Sequence, residues 1–174
     1  MEEYLVTRAA FEALQRKHPT VIPKGFGFEC GRGWVEILER FFTDLERILP
    51  LEAEFRPRQI KEKLAGLRIY YAIEPKVSAE IEQAIRRLAD LAEIRSFHTC
   101  ESCGRPGRGW NRSGFYMTAC DLHAKERSEG YADKAVPLEA NGPHMVNLGH
   151  GWLRYDEALD DLVPSEPPEG WGRG

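Results

Sequence analysis

Four residues of this chain are spaced as metal ligands: Cys100-Glu101-Ser102-Cys103 and, after an interval of sixteen residues, Cys120-Asp121-Leu122-His123. Two ligands separated by two residues grip one ion from a tight turn, and a second such pair closes a tetrahedron around Zn²⁺. Gly104 directly after the first pair fits a knuckle, where main-chain amides point at the sulfurs and glycine permits a positive φ. Two disulfides are the rival reading, but no secretory leader is visible and cytosolic thiols stay reduced. A redox Cys-x-x-Cys would need a strand–motif–helix context that is missing, and would leave the second pair unexplained. Zinc is therefore the expected cofactor. Four protein ligands leave no position for water, and three thiolates with a neutral imidazole make a poor Lewis acid, so a structural role and no catalytic residue are expected. Such a site contributes on the order of 10 kcal/mol to folding in small zinc modules. His98 could stand in for His123, although its more ordinary place is at a helix end. Cys30 reads as a small buried residue.

Other chemistry is thin. There is no phosphate-loop spacing, no Gly-x-Ser-x-Gly and no His-Glu-x-x-His. A metal-dependent nuclease of the HNH type would need a general-base histidine with Asn and His on a metal-binding helix. His144, Asn147 and His150 are the candidates, but Gly142-Pro143 and Gly149 interrupt the segment. The balance leans away from an enzyme.

The elements that must position these residues can be read from periodicity. A first helix is expected over Glu2 to Lys17, with Leu5, Val6, Ala9, Ala13 and Leu14 inward and His18-Pro19 ending it. A second carries Trp34, Ile37, Leu38, Phe41, Phe42, Leu45, Ile48 and Leu49 on one face and stops at Pro50. A third runs over Ala79 to Ser96 with Ser78 as N-cap and Ile81, Ala84, Ile85, Leu88, Leu91 and Ala92 buried. Between the last two, Leu67, Ile69, Tyr71 and Ile73 alternate with Arg68, Tyr70 and Ala72. That is a half-buried strand, paired with a weaker one over Phe55 to Lys63 through Ala65-Gly66, and Pro57 suggests an edge where the weaker strand begins. The fold class is α+β: about three amphipathic helices packed on a small antiparallel sheet, with a C-terminal zinc-knuckle region. Residues 1–95 form the expected helix–hairpin core and 96–126 the knuckle, with Arg105 to Tyr116 as a loop or short hairpin. Residues 127–174 form an extension with short elements near Met145 to Leu148 and Trp152 to Tyr155, ending in a flexible tail.

Charged residues make up 30% of the 174 and apolar ones 42%, the proportions of a soluble globular protein, and the net charge of −4 argues against a strongly basic nucleic-acid wrapper. That small net hides an asymmetry. Residues 55–76 hold six cations against two carboxylates, whereas 156–169 hold six carboxylates and no base. Either stretch is a solvated face, a contact patch, or the other's partner in the fold. No apolar run approaches the ~20 residues of a membrane span. A cytoplasmic location and no membrane partner are expected.

Taken together, Glu29-Cys30-Gly31-x-Gly33-Trp34, Lys61-Glu62-Lys63-Leu64-Ala65-Gly66-Leu67-Arg68-Ile69-Tyr70, Cys100-x-x-Cys103-Gly104-x-Pro106-Gly107 and Cys120-x-x-His123 resemble a group of small, largely uncharacterised proteins of bacteriophages and prophages. The resemblance covers about residues 29–124, and Ala65 stands where a second glycine is expected. It implies a phage-type origin, a metal knuckle and a place in the host cytoplasm. By analogy, it also implies an accessory protein that inhibits or adapts a host machine, counter-defence against CRISPR complexes being one such class. The expected function is thus non-enzymatic binding of a macromolecular partner, a host or phage protein. Asp156, Glu157, Asp160 and Asp161 offer an acidic patch, and Arg56, Arg58, Lys61 and Lys63 a basic one. The alternatives are nucleic-acid binding through the basic hairpin, Arg105, Arg108 and Arg112, with Trp110 and Phe115 stacking or packing beneath the knuckle, and the nuclease already described.

Overall fold

The computed structural model describes residues 2–139, 145–147 and 151–168. In chain order the elements are α1 (Glu2–Lys17), β1 (Phe28–Glu29), a 3₁₀ turn (Arg32–Trp34), α2 (Val35–Ile48), β2 (Glu54–Lys63), β3 (Gly66–Glu74), α3 (Ala79–Ser96), β4 (Arg108–Arg112), β5 (Phe115–Ala119), α4 (Asp121–Glu126), β6 (Val136–Pro137), β7 (Met145–Asn147), β8 (Trp152–Asp156) and β9 (Asp161–Ser165). The strands form three small sheets, ordered β1-β2-β3, β5-β4-β6 and β7-β8-β9. The α+β architecture follows from the sequence periods, and among the described residues no helix is long and apolar enough to cross a membrane.

α2 supplies the centre of the core. Trp34, Leu38, Phe42 and Leu45 are fully buried against Phe55, Ile60 and Leu67 of the sheet and Ile85 of α3. α3 begins where Ser78 Oγ accepts the Ile81 N–H at 3.4 Å. α1 has the expected limits but turns the other way. Phe11 and Leu14 face inward, Phe11 stacking on Phe28 at 4.5 Å between centroids, while Leu5, Val6, Ala9 and Ala13 are exposed. The reason is that α1 rests on a single flank of the core, and Phe11 claims that flank while Tyr4 stays exposed.

β2 is an edge where it begins, as Pro57 suggests, and lies between β1 and β3 only at Ile60 and Lys61. β1 reaches only Ile60 and Lys61, so at Pro57 the far side of β2 carries no partner and the missing N–H costs no ladder bond. The register shifts between Pro57 and Gln59, placing a bulge at Arg58. The connection to β3 is the two-residue turn Leu64-Ala65, both with positive φ (54° and 69°). Neither residue is a natural choice there. Glu62 accepts the Ala65 N–H at 2.7 Å, and buried Thr118 donates to the Ala65 carbonyl at 2.7 Å.

The β8–β9 hairpin docks on α3 by two means. Leu162 is buried against Leu91 and Ile94. Asp160, at the hairpin turn, accepts from Arg95 at 2.8 and 3.0 Å, from Tyr155 Oη at 2.6 Å and from Arg40. Partial burial works against ionisation of Asp160, but Arg95 and Tyr155 outweigh it and hold the carboxyl below its usual range. Asp161 meets Arg87 at 2.8 Å, Asp156 accepts the Ala158 and Leu159 N–H groups, and Glu157 stands 3.5 Å from His98. From 156 to 161 the acidic stretch is therefore engaged within the chain, Asp160 and Asp161 by arginines of α2 and α3 rather than by the basic hairpin. An extended tail is expected over Pro164 to Gly170, but Pro164 and Ser165 pair with Leu153 and Trp152 in β9, and residues 169–174 lie outside the described residues.

Two outcomes follow. Leu64→Asn should stabilise the protein by about 0.5–1 kcal/mol, because it relieves a left-handed leucine at an exposed turn. Urea unfolding checks this, an unchanged midpoint counting against it. Asp160→Asn should cost about 1–2 kcal/mol at pH 7, discounted from the buried-pair range because the carboxylate is 37% exposed. Since its folded pKa is depressed, that gap, read by urea unfolding across pH, should be present above the usual carboxylate range and be lost as pH falls through the lowered folded value.

Candidate metal centre

The strand–turn–strand of β4 and β5 folds the second ligand pair back onto the first. β4 and β5 pair from Arg108↔Ala119 to Arg112↔Phe115, which returns Cys120 beside the turn holding Cys100 and Cys103. α4 then starts at Asp121, and its first turn lifts His123 back over Cys120, the i,i+3 reach of a helix. One ligand atom from each of Cys100, Cys103, Cys120 and His123 lies within 4.8 Å of every other, and among the described residues this is the one such cluster. Cys100 Sγ is 3.5 Å and Cys120 Sγ 3.2 Å from His123 Nδ1, and Cys103 and Cys120 are 4.0 Å apart. Around a tetrahedral ion with thiolate bonds of about 2.3 Å, sulfurs stand about 3.8 Å apart, so the donors fit a single ion. All four cysteines are free of disulfides.

The surroundings act on the ligand thiols in opposite directions. The main-chain N–H groups of Ser102, Cys103 and Cys120 hydrogen-bond to Cys100, although burial dominates and pushes its thiol up. Slight burial opposes ionisation of Cys103, yet the Arg105 side chain and main-chain N–H bring it down to about 6. Arg105 Nε lies 3.4 Å from Cys103 Sγ and Nη2 3.8 Å from Cys120 Sγ, a cation placed against the excess negative charge of three thiolates. On the far side of the imidazole, His123 Nε2 is 3.6 Å from Glu126, the outer carboxylate that steadies a ligating histidine.

The knuckle is joined to the helical core through the segment Gly31 to Trp34. The Gly33 N–H donates to the Glu101 carbonyl at 2.7 Å, and Trp34 Nε1 to the Thr99 carbonyl at 2.8 Å. A Cβ on Gly33 would stand 2.2 Å from the Cys100 carbonyl oxygen and 2.6 Å from Gly104 N, so only glycine permits this approach. Gly104 itself has φ +76° and closes the turn by donating to the Cys100 carbonyl at 2.9 Å. Buried Glu101, the first residue inside the Cys-x-x-Cys, accepts the Gly31 N–H at 2.9 Å and Arg127 at 3.1 Å.

The remaining candidates fall as follows. Cys30 stays out of the cluster, packed against the core with its thiol pushed up by burial and by the Glu101 and Glu29 carboxylates. His98 follows α3 and faces Glu157 and Tyr155, not the metal ligands. His144 and His150 lie outside the described residues, and Asn147 falls in the short strand β7 rather than on a helix. Trp110 is buried beneath Arg108 and donates to the Ala119 carbonyl, so it packs under the knuckle; Phe115 is exposed. Arg105, Glu101 and Gly33 complete the site with no signal in the ligand spacing: Cys-x-x-Cys names ligands but not the groups that neutralise or hold them, and α4 is too short for a periodicity to reveal. No family model matches this chain, and neither a curated protein nor a solved structure does.

Cys103→Ser should release the bound ion, and Gly33→Ala should destabilise the knuckle while all four ligands remain. We expect about one equivalent of metal per chain by elemental analysis in the wild type, less than about a tenth in C103S, and a lowered unfolding midpoint in G33A. A C103S protein that keeps its metal would rule out this ligand set.

Proposed function

We propose that the protein is a non-enzymatic binding protein, stapled by zinc, whose partner is a polyanion met on the outward face of the β1–β2–β3 sheet. The metal reading rests on the donor set. Three soft thiolates and one imidazole at tetrahedral spacing are a zinc set, and four protein donors leave no open position for a reacting water. When bound, the ion supplies cross-linking and folding free energy rather than a nucleophile.

The observation that carries the binding reading is the direction of the β2 side chains. Phe55 and Pro57 are buried, so the alternation of the strand sends Arg56 and Arg58 to the other face. The bulge shifts the phase so that Ile60 turns inward and Lys61 and Lys63 turn outward. Arg56 is held by Glu54 and Glu74 at 2.8 and 2.7 Å. Among the described residues, no carboxylate lies within ion-pairing distance of Arg58, Lys61 or Lys63, and Lys61 sits over the exposed Tyr70 ring at 5.7 Å from its centroid. Unpaired cations beside a solvent-facing aromatic suit a phosphate backbone. The acidic stretch has intramolecular partners instead, which makes it the weaker candidate surface. A phage-type accessory protein that acts by occupying a nucleic acid would need this face and no chemistry at the metal.

The test is binding to labelled oligonucleotides across a salt series. Affinity should fall steeply between about 50 and 200 mM salt, and the triple variant R58E/K61E/K63E should lose about tenfold or more at the low end. Plasmid DNA incubated with the protein and Mg²⁺ or Mn²⁺ should stay intact. Salt-independent binding, or a triple variant equal to wild type, would remove this reading.

A further inference from the structure

The knuckle hairpin carries a second surface, unlike the first in chemistry. Phe115 and Tyr131 are 54% and 57% exposed, two large rings brought together at the solvent edge of the hairpin. They flank Arg112, whose guanidinium carbon lies 3.6 Å from the Tyr131 centroid and 5.5 Å from that of Phe115. A guanidinium stacked on a ring covers one side of it and leaves the other to solvent.

This arrangement is held in place from several directions. Arg112 donates to the Arg127 carbonyl just after α4. The turn that carries Phe115 is closed by the Gly114 N–H donating to Asn111 Oδ1 at 2.8 Å, and Ser113 Oγ ties it to Asp133 at 2.7 Å. Beneath it, Trp110, Met117 and Ala119 form the small core shared with the metal ligands. The rings are thus fixed to the knuckle rather than free to collapse, and ordering them on binding costs little.

We propose that Phe115, Arg112 and Tyr131 form a base-stacking platform, which makes the favoured ligand a single-stranded nucleic acid. The inference deepens the polyanion reading and rests on it. Exposed ring faces beside a planar cation match the faces of unpaired bases. In a duplex those faces are stacked on one another, and an acidic protein surface offers nothing planar to meet them. Stacking on two rings should be tolerant of sequence, so the site would select strandedness rather than base identity.

The experiment compares full-length protein, wild type and variant, by fluorescence anisotropy at about 50 mM salt against a labelled dT20 strand, a 20-base-pair duplex and heparin. F115A/Y131A should weaken dT20 binding about ten- to a hundredfold and leave duplex and heparin within about twofold. F115Y/Y131F keeps both rings and should bind dT20 as the wild type does. Both rings are exposed, so metal content and the unfolding midpoint should not move, and single variants serve if the double variant unfolds. Equal loss for all three ligands, no loss for dT20, or a wild type that favours duplex or polyglutamate would overturn the platform. R58E/K61E/K63E separates the two readings: it should weaken all three ligands together. If it changes none while F115A/Y131A still loses dT20, the sheet-face reading falls and the platform stands.

Discussion

The N–H of Gly33 meets the carbonyl of Glu101 at 2.7 Å, and the rest of the molecule is arranged around that contact. It brings the main chain before α2 within bonding distance of the turn that presents Cys100 and Cys103. Any side chain at position 33 would collide with two carbonyls and an amide of that turn. Trp34, one residue on, is both the anchor of the helical core and the donor to Thr99. The core and the metal knuckle consequently share a rigid backbone junction rather than a linker. Loss of the ion would be felt by α2 as well as by the hairpin.

That junction explains the company the ligands keep. Three thiolates would bring more negative charge than one divalent ion cancels, and Arg105 at the sulfurs and main-chain amides aimed at Cys100 offset it, while Glu126 stands behind the imidazole. Glu101, enclosed by the ligand turn, is satisfied by Gly31 and Arg127, so a buried carboxylate beside the site becomes a tie between core, knuckle and α4. The centre is enclosed by structure on the core side, while the opposite edge of the hairpin presents Phe115 and Arg112 to solvent.

Charge is distributed by the same logic. The carboxylates at residues 156–161 serve to hold the C-terminal hairpin on α2 and α3, with Asp160 gathering Arg40, Arg95 and Tyr155 at one point. The cations of β2 have no such internal claim beyond Arg56. A net charge of −4 therefore coexists with a locally basic sheet face, because the carboxylates at Asp160 and Asp161 take their partners from Arg40, Arg87 and Arg95 and not from β2.

By itself the sequence determined what local periodicity and ligand spacing can encode. The limits of α1 and α3, the β2–β3 hairpin and the four donors Cys100, Cys103, Cys120 and His123 are all legible, since each depends on residues close in the chain. Only the tertiary structure decided which face of α1 is buried, because Leu5 and Val6 are as apolar as Leu14 and the choice is made by where Phe11 finds Phe28. It decided too that β2 lies between two strands at Ile60 and Lys61, since β1 is two residues long and separated from it by the whole of α2. The arginine partners of Asp160 and the approach of Arg105 to Cys120 belong to the same class. Each joins segments whose separation along the chain no pattern records, and the energy that selects them exists only once the core has closed.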